Sequence, residues 1–274
     1  MEKVSTSRIG PVSLPQNGRI PLVAGTYALG LGLYLLIEPT QPWLLPFVAV
    51  IVALGTDGIV RSHPNSIFRE ALDAAPYLLV PTILTLASGF FLEDTVASYW
   101  TLLAALVAGG LMAAVLYAEY VSVDIESPLY PAARFSLNVA TYLSAFGLYA
   151  AMYDFGLGLV RAAFCVGLVS LVLAAEVLRE TEIMPPPVAR ESLRSLGFAA
   201  AIGLIVAEAR WALYFVPLDG FLAAVLLLLF FYVASGIVQH YVTGHLSWQV
   251  SVEFALVASL GLLMIVLGGT LAGA

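Results

Sequence analysis

The 274 residues contain one lysine and one cysteine. The lysine is Lys3, in a polar stretch, so no helix offers a lysine for a retinal Schiff base, and a rhodopsin-type pigment is excluded. The cysteine, Cys165, has no second thiol with which to form a disulfide, a zinc knuckle or an iron–sulfur cluster. Inside an apolar run it reads as a small packing residue. Charge is scarce as well: charged residues make up 11% of the chain, against roughly a quarter in a soluble domain. The eleven basic residues are too scattered to form a nucleic-acid surface, and the net charge of −7 says little about partners. The sequence has no phosphate-binding glycine loop with lysine, no HExxH and no GxSxG. Glu176, Arg179, Glu180 and Glu182 do not reproduce the EExxxR pattern of membrane CAAX-type proteases, and Cys165 lacks the surroundings of an exosortase nucleophile.

What is abundant is apolar surface. Hydrophobic residues make up 61% of the chain and its mean hydropathy is +0.97, so lipid must replace water over most of the exterior. Residues 1–19 form a polar tail with Pro11 and Pro15. The first apolar run has no small-x-small exit, so the first span is expected to be retained. Residues 20–274 read as a single transmembrane domain. Nine runs have the length of a bilayer crossing: 20–37, 43–60, 74–92, 96–118, 132–153, 157–177, 196–216, 220–238 and 248–271. The last two are separated by a short break without Arg or Lys, which leaves eight or nine spans open.

Basic residues orient the chain. With the N-terminus inside, the inner segments hold Lys3, Arg8, Arg19, Arg61, Arg69, Arg134, Arg179, Arg190 and Arg194. The outer turns 38–41, 93–95, 154–156 and 217–219 hold none. The expected fold is an all-α polytopic transmembrane bundle with a cytoplasmic N-terminus, multi-pass in the cell inner membrane. Short turns force antiparallel neighbours. Small residues at four-residue spacing (Ala105, Gly109, Ala113; Ala199, Gly203, Ala207) allow close helix contact, so the fourth and seventh spans are expected to be central. Pro76 and Pro81 suggest a kink in the third. The loop 179–195, with Pro185–Pro187, reads as a stiff connector or as a docking site for a protein partner.

Two charges in the seventh run, Glu208 and Arg210, carry the functional expectation. A charge in mid-membrane costs about 2.5–3.5 kcal/mol, so each needs a partner or water. Residues two apart point to opposite sides of a helix, so another helix must supply partners. Arg161 in the sixth run lies within roughly 6 Å in depth of Glu208, while Asp154 and Asp219 could take Arg210. The expected substrate-binding set is Arg161 and Arg210 as anion contacts, Glu208 as the buried acid, and Trp211 and Tyr214 as apolar walls. The ligand would be a small anion or a membrane lipid headgroup, bound or transported. A structural or accessory subunit is the second reading, and a membrane-embedded enzyme on a lipid-linked substrate the third. No cofactor and no metal are expected. His63, His240 and His245, with Glu119 and Glu253, share the inner side without a recognised ligand spacing. Asp57, His63, Glu70 and Asp73 lack the repeated aspartates of magnesium-dependent transferases.

The segment Glu208-Ala-Arg-Trp-Ala-Leu, followed by Pro217-Leu-Asp-Gly, resembles an uncharacterised family of bacterial polytopic membrane proteins known only as a domain of unknown function. The resemblance covers the seventh span and its outer turn. It implies no activity, and it adds weight to Glu208, Arg210 and Trp211.

Overall fold

The computed structural model describes residues 18–37, 41–66, 68, 71–96, 98–179, 189–216, 218–245 and 247–272, without the side chains of 71–72, 98, 154, 189–193 and 265–272. Among these residues nine α-helices follow one another: α1 (Arg19–Leu36), α2 (Leu44–Arg61), α3 (Ala75–Thr95), α4 (Thr101–Ser122), α5 (Tyr130–Asp154), α6 (Leu159–Arg179), α7 (Ala189–Leu213), α8 (Gly220–Val242) and α9 (Trp248–Ala272). They are 18 to 25 residues long, and at about 1.5 Å per residue the shortest spans roughly 27 Å, close to a hydrocarbon core. A helix is the form in which such runs can lie in lipid, because it satisfies its own backbone groups. The hydroxyls follow suit: Thr26, Thr85, Thr141 and Ser144 donate to carbonyls four residues back. The chain is therefore a polytopic helical membrane bundle. The face where α1 begins is called proximal, and the opposite face distal.

Prolines and tryptophans mark helix starts. Pro76 and Pro131 occupy first turns, where a missing N–H costs little, so of the two prolines expected to kink α3 only Pro81 lies inside it. Trp43, Trp100 and Trp248 are exposed at the entries of α2, α4 and α9, at interface depth.

The bundle has two apolar cores. One is built from α1 to α4, including Tyr27, Leu31, Val52, Met112 and Leu116. The other is built from α6 to α8, including Val166, Leu173, Ile202, Leu227 and Phe231. Helix α5 joins them, giving Leu137 and Ala140 to the first and Ala145 and Tyr149 to the second. It packs on α3, α4, α6 and α8, and so takes the central place that small-residue spacing assigned to α4 and α7. Those two helices each keep an outward apolar face, with Leu102 and Leu106 on α4 and Leu204 and Ile205 on α7 exposed. Their small residues do make close contacts: a methyl group on Gly109 would stand 2.8 Å from Ala28 Cβ of α1, and one on Gly203 would stand 2.7 Å from the Gly167 carbonyl oxygen of α6.

Among the described residues seven helices (α1, α2, α3, α4, α6, α7 and α8) are long and apolar enough to cross a membrane. In α9 the described apolar part is Trp248–Met264. Helix α5 has the length but carries polar groups that its neighbours absorb. Tyr142 and Tyr149 hydrogen-bond Ser235 of α8 and Ser170 of α6 at 3.2 and 2.7 Å, and Tyr153 donates to the Leu218 carbonyl at 3.0 Å.

Helix α7 is shifted against the sequence expectation. It ends at Leu213 rather than near Val216, and its charged first turns extend back to Ala189. Residues 180–188, the central part of the proposed docking loop, lie outside the described residues, as do Arg69 and Glu70.

Candidate functional site

Helices α6 and α7 meet at their closest where Gly167 faces Gly203 and Ala207. Small residues allow the backbones to touch there, and toward the distal face the surfaces diverge. They leave a groove of about 500 Å³, lined by Val160, Ala163 and Phe164 of α6 and by Leu204, Ala207, Glu208, Trp211 and Ala212 of α7. Val160, Phe164, Leu204 and Trp211 are exposed, so the groove opens sideways on the bundle's apolar exterior. Glu208 is the one charged residue among those lining it.

Of the five residues singled out in the sequence, two come together and three lie apart. Glu208 and Trp211 share the groove. Arg161, next to Val160 in the first turn of α6, is exposed. Arg210 turns the other way. It is 5% exposed, its guanidinium stands 4.7 Å over the Tyr153 ring of α5, and its Nε has no hydrogen-bond partner. Stacking on an aromatic face is a favourable way to hold a guanidinium inside a bundle. Tyr214, past the end of α7, is half exposed and meets Phe215 edge-on. Among the described residues no ion pair includes Arg161, Glu208 or Arg210. Asp219 caps α8 by accepting from the Phe221 N–H, and the Asp154 side chain lies outside the described residues.

Depth matters here. Because α7 ends at Leu213, Glu208 is five residues, roughly 8 Å, from its distal end, and Arg161 is two residues, roughly 3 Å, from that of α6. Glu208 therefore lies three residues nearer the end of its helix than the expected boundary at Val216 implies.

At the proximal end the fold gathers a second set of charges. Glu119 of α4 and Glu176 of α6 are 0% and 2% exposed, and Arg134 of α5 is 3% exposed. Arg179 Nη2 lies 2.8 Å from Glu176 Oε1 and 3.7 Å from Glu119 Oε2, and Arg134 Nη1 lies 3.5 Å from Glu176 Oε1. The Arg179 guanidinium also sits 4.6 Å over the Tyr77 ring of α3. The charges are close but poorly aligned. Glu119 Oε1, both Glu176 oxygens, Arg134 Nε and both Arg179 Nη atoms are buried without a hydrogen-bond partner. Sequence reasoning missed this cluster. In the sequence Arg134, near a helix start, and Arg179 read as topology markers of the inner segments, whereas both side chains point into the bundle. The available signal was the Glu176-x-x-Arg179 spacing, which puts both residues on one helix face.

The histidines and inner-side acids are dispersed. His63 is buried, stacks edge-on against Tyr120 at 4.7 Å and accepts at Nδ1 from the Asn65 N–H. Burial pushes its imidazole below the usual range, and Asp124 partly opposes that. His240 packs near Phe254 and His245 lies in the α8–α9 turn. Asp57 pairs with Arg61. Among the described residues no three of His, Cys, Asp and Glu converge on one point.

No curated protein and no solved structure matches the chain. A model of a family described as a protein of unknown function, DUF5656, matches residues 20–268, and with nearly its whole length covered the chain belongs to that family.

Proposed function

We propose that the protein binds a membrane phospholipid at the α6–α7 groove, with the acyl chain against Val160, Phe164, Leu204 and Trp211 and the headgroup between Arg161 and Glu208. The observation that carries this reading is the pairing of an apolar, laterally open groove of about 500 Å³ with a single carboxylate, Glu208, in its wall. Ligand sites combine apolar walls with a few placed polar groups, and this groove has that composition.

The chemistry narrows the headgroup. With Arg210 facing Tyr153, Arg161 is the remaining guanidinium for a phosphate. Glu208 in the groove repels a purely anionic ligand and attracts an ammonium. A headgroup bearing both a phosphate and a primary amine suits the pair better than a free anion. The arrangement fits a bundle in which Arg19, Arg61, Arg134, Arg179 and Arg194 lie at proximal helix ends against Arg161 and Arg210 toward the distal ends, an excess that by the positive-inside rule makes the proximal face cytoplasmic and the groove an outer-leaflet site.

Native mass spectrometry after mild detergent extraction tests this reading. Wild type should retain one amine-bearing phospholipid, and the Arg161→Ala, Glu208→Ala double variant should lose it. Arg210→Leu should keep the lipid while melting earlier, because it removes a contact between α5 and α7 outside the groove. Retention of the same lipid by the double variant, or retention of free phosphate alone, contradicts the proposal.

A further inference from the structure

The proximal cluster is separate from the groove: Glu176 and Arg179 close α6, whereas Val160 opens it. Its make-up is two carboxylates and two guanidiniums, drawn from α4, α5 and α6 and roofed by Tyr77 of α3. The two arginines converge on one acid. Glu176 has both within ion-pair distance, at 2.8 and 3.5 Å, whereas Glu119 has only Arg179, at 3.7 Å. Of the Glu119 oxygens, Oε2 receives a long 3.4 Å contact from the Ser122 hydroxyl and Oε1 has no hydrogen-bond partner. Yet Glu119 is the most deeply buried of the four, at 0% exposure. A buried charge with one loose partner is costly, and so is a half-satisfied network.

We propose that Glu119 is a proton-binding site, exchanging a proton with the proximal aqueous face through water held among Arg134, Glu176 and Arg179. The arrangement selects the proton among ligands. A metal ion would meet two guanidiniums and a second anion would meet two carboxylates, but a proton needs one free oxygen. Both acids offer one, and Glu119, with a single arginine at 3.7 Å against two for Glu176, is the less compensated of the two. Among the described residues, the buried polar side-chain atoms without hydrogen-bond partners are the Arg210 Nε and six atoms of this cluster, and those six supply the donors and acceptors a small group of waters requires. Arg179, with its side chain 20% exposed, is the cluster's contact with the outside.

The step is a protonation and needs no co-reactant: hydronium from the proximal aqueous phase gives its proton to the Glu119 carboxylate and leaves as water, and Arg179 is left to pair with Glu176. The groups facing Glu119 are Arg134 from α5, Glu176 and Arg179 from α6, Tyr77 from α3 and Ser122 from its own helix. Helices α4 and α6 are not packed along their lengths, so the Arg179–Glu119 contact is the ion pair linking them. Proton uptake at Glu119 therefore acts on the joint between the two apolar cores.

Infrared spectroscopy of the full chain in lipid, scanned between about pH 5 and 9 around the range of shifted carboxyls, reads the site directly. Wild type should show a protonated-carboxyl C=O band that disappears as pH rises. Glu119→Gln, which has the shape of the protonated acid, should lack the band, and Glu176→Gln should keep one. Arg179→Gln should carry the band to higher pH, because the cation nearest to Glu119 has gone. No titrating carboxyl band in wild type, or a band unchanged in Glu119→Gln, overturns the proposal. The wild-type scan alone decides the first of these, whatever the folding of the variants.

Discussion

Gly203 and Gly167 meet at the α6–α7 crossing with no room for a side chain: a methyl group on Gly203 would stand 2.7 Å from the Gly167 carbonyl oxygen and 3.0 Å from Leu171 Cβ. The obstacle is backbone, so relief requires the helices to part. Gly203→Ala should lower stability by about 1–3 kcal/mol, as overpacking does. Gly110→Ala, with nothing within 4 Å of its added carbon, should be neutral or stabilise by up to roughly 1 kcal/mol through helix propensity. Thermal unfolding in one detergent compares the two. Equal effects would show that the helices do not cross at Gly203.

The charge cluster makes an unequal prediction about single and double changes. Glu176→Leu leaves Arg134 and Arg179, now 3.5 and 2.8 Å from a missing carboxylate, with less counter-charge, a loss of about 3–5 kcal/mol for a buried pair. Adding Arg134→Leu should recover part of that loss, since a buried pair replaced by apolar groups is often neutral. Thermal unfolding of the single and double variants checks this, and an additive double variant would mean the two side chains do not interact.

Tyr149 and Ser170 should also respond unequally. The Ser170 hydroxyl donates to the Val166 carbonyl at 2.7 Å, and the Tyr149 hydroxyl lies 2.7 Å from it. Tyr149→Phe leaves Ser170 its carbonyl partner. Ser170→Ala strands a fully buried phenol, with a penalty of about 1–3 kcal/mol. The serine variant should melt earlier than the tyrosine variant.

His63 links stability to pH. Its folded-state imidazole is held below the ordinary 6.5 by burial, so between that lowered value and 6.5 the unfolded chain binds more protons. Stability is then full above pH 6.5 and falls as pH drops through the folded-state value. Protonation also removes the acceptor for the Asn65 N–H, a bond of about 0.5–1.5 kcal/mol. His63→Asn keeps an acceptor and does not titrate, so its unfolding profile should be flatter in acid than that of wild type.

Nine helices are legible in the sequence as nine long runs, of which seven among the described residues are apolar enough for a bilayer crossing, and most basic residues collect at one set of ends. The close approaches at Gly109 and Gly203 are legible from four-residue spacing of small side chains. Which way a charged residue faces is not legible. Glu208 and Arg210 differ by 200° around one helix, and only the packing of α5 and α6 decides that Arg210 meets Tyr153 while Glu208 meets the groove. Depth is equally hidden. The apolar tail of α7 through Val216 reads as helix, but the helix stops at Leu213, which leaves Glu208 five residues from the helix end. Glu119 and Glu176 lie a turn from helix ends, where a carboxylate usually reaches water, so their burial appears only once α5 is placed between the two cores.

Photo-crosslinking tests the central claim most directly. An amine-bearing phospholipid with a diazirine in its acyl chain, reconstituted with the full chain, is activated by light and its adducts are mapped by peptide mass spectrometry. The account expects adducts concentrated on Phe164, Leu204, Ala207 and Trp211, the groove walls, and lost in the Arg161→Ala, Glu208→Ala variant. Adducts spread evenly over other exposed apolar residues such as Leu29, Leu102 and Leu106, or unchanged in that variant, would contradict it.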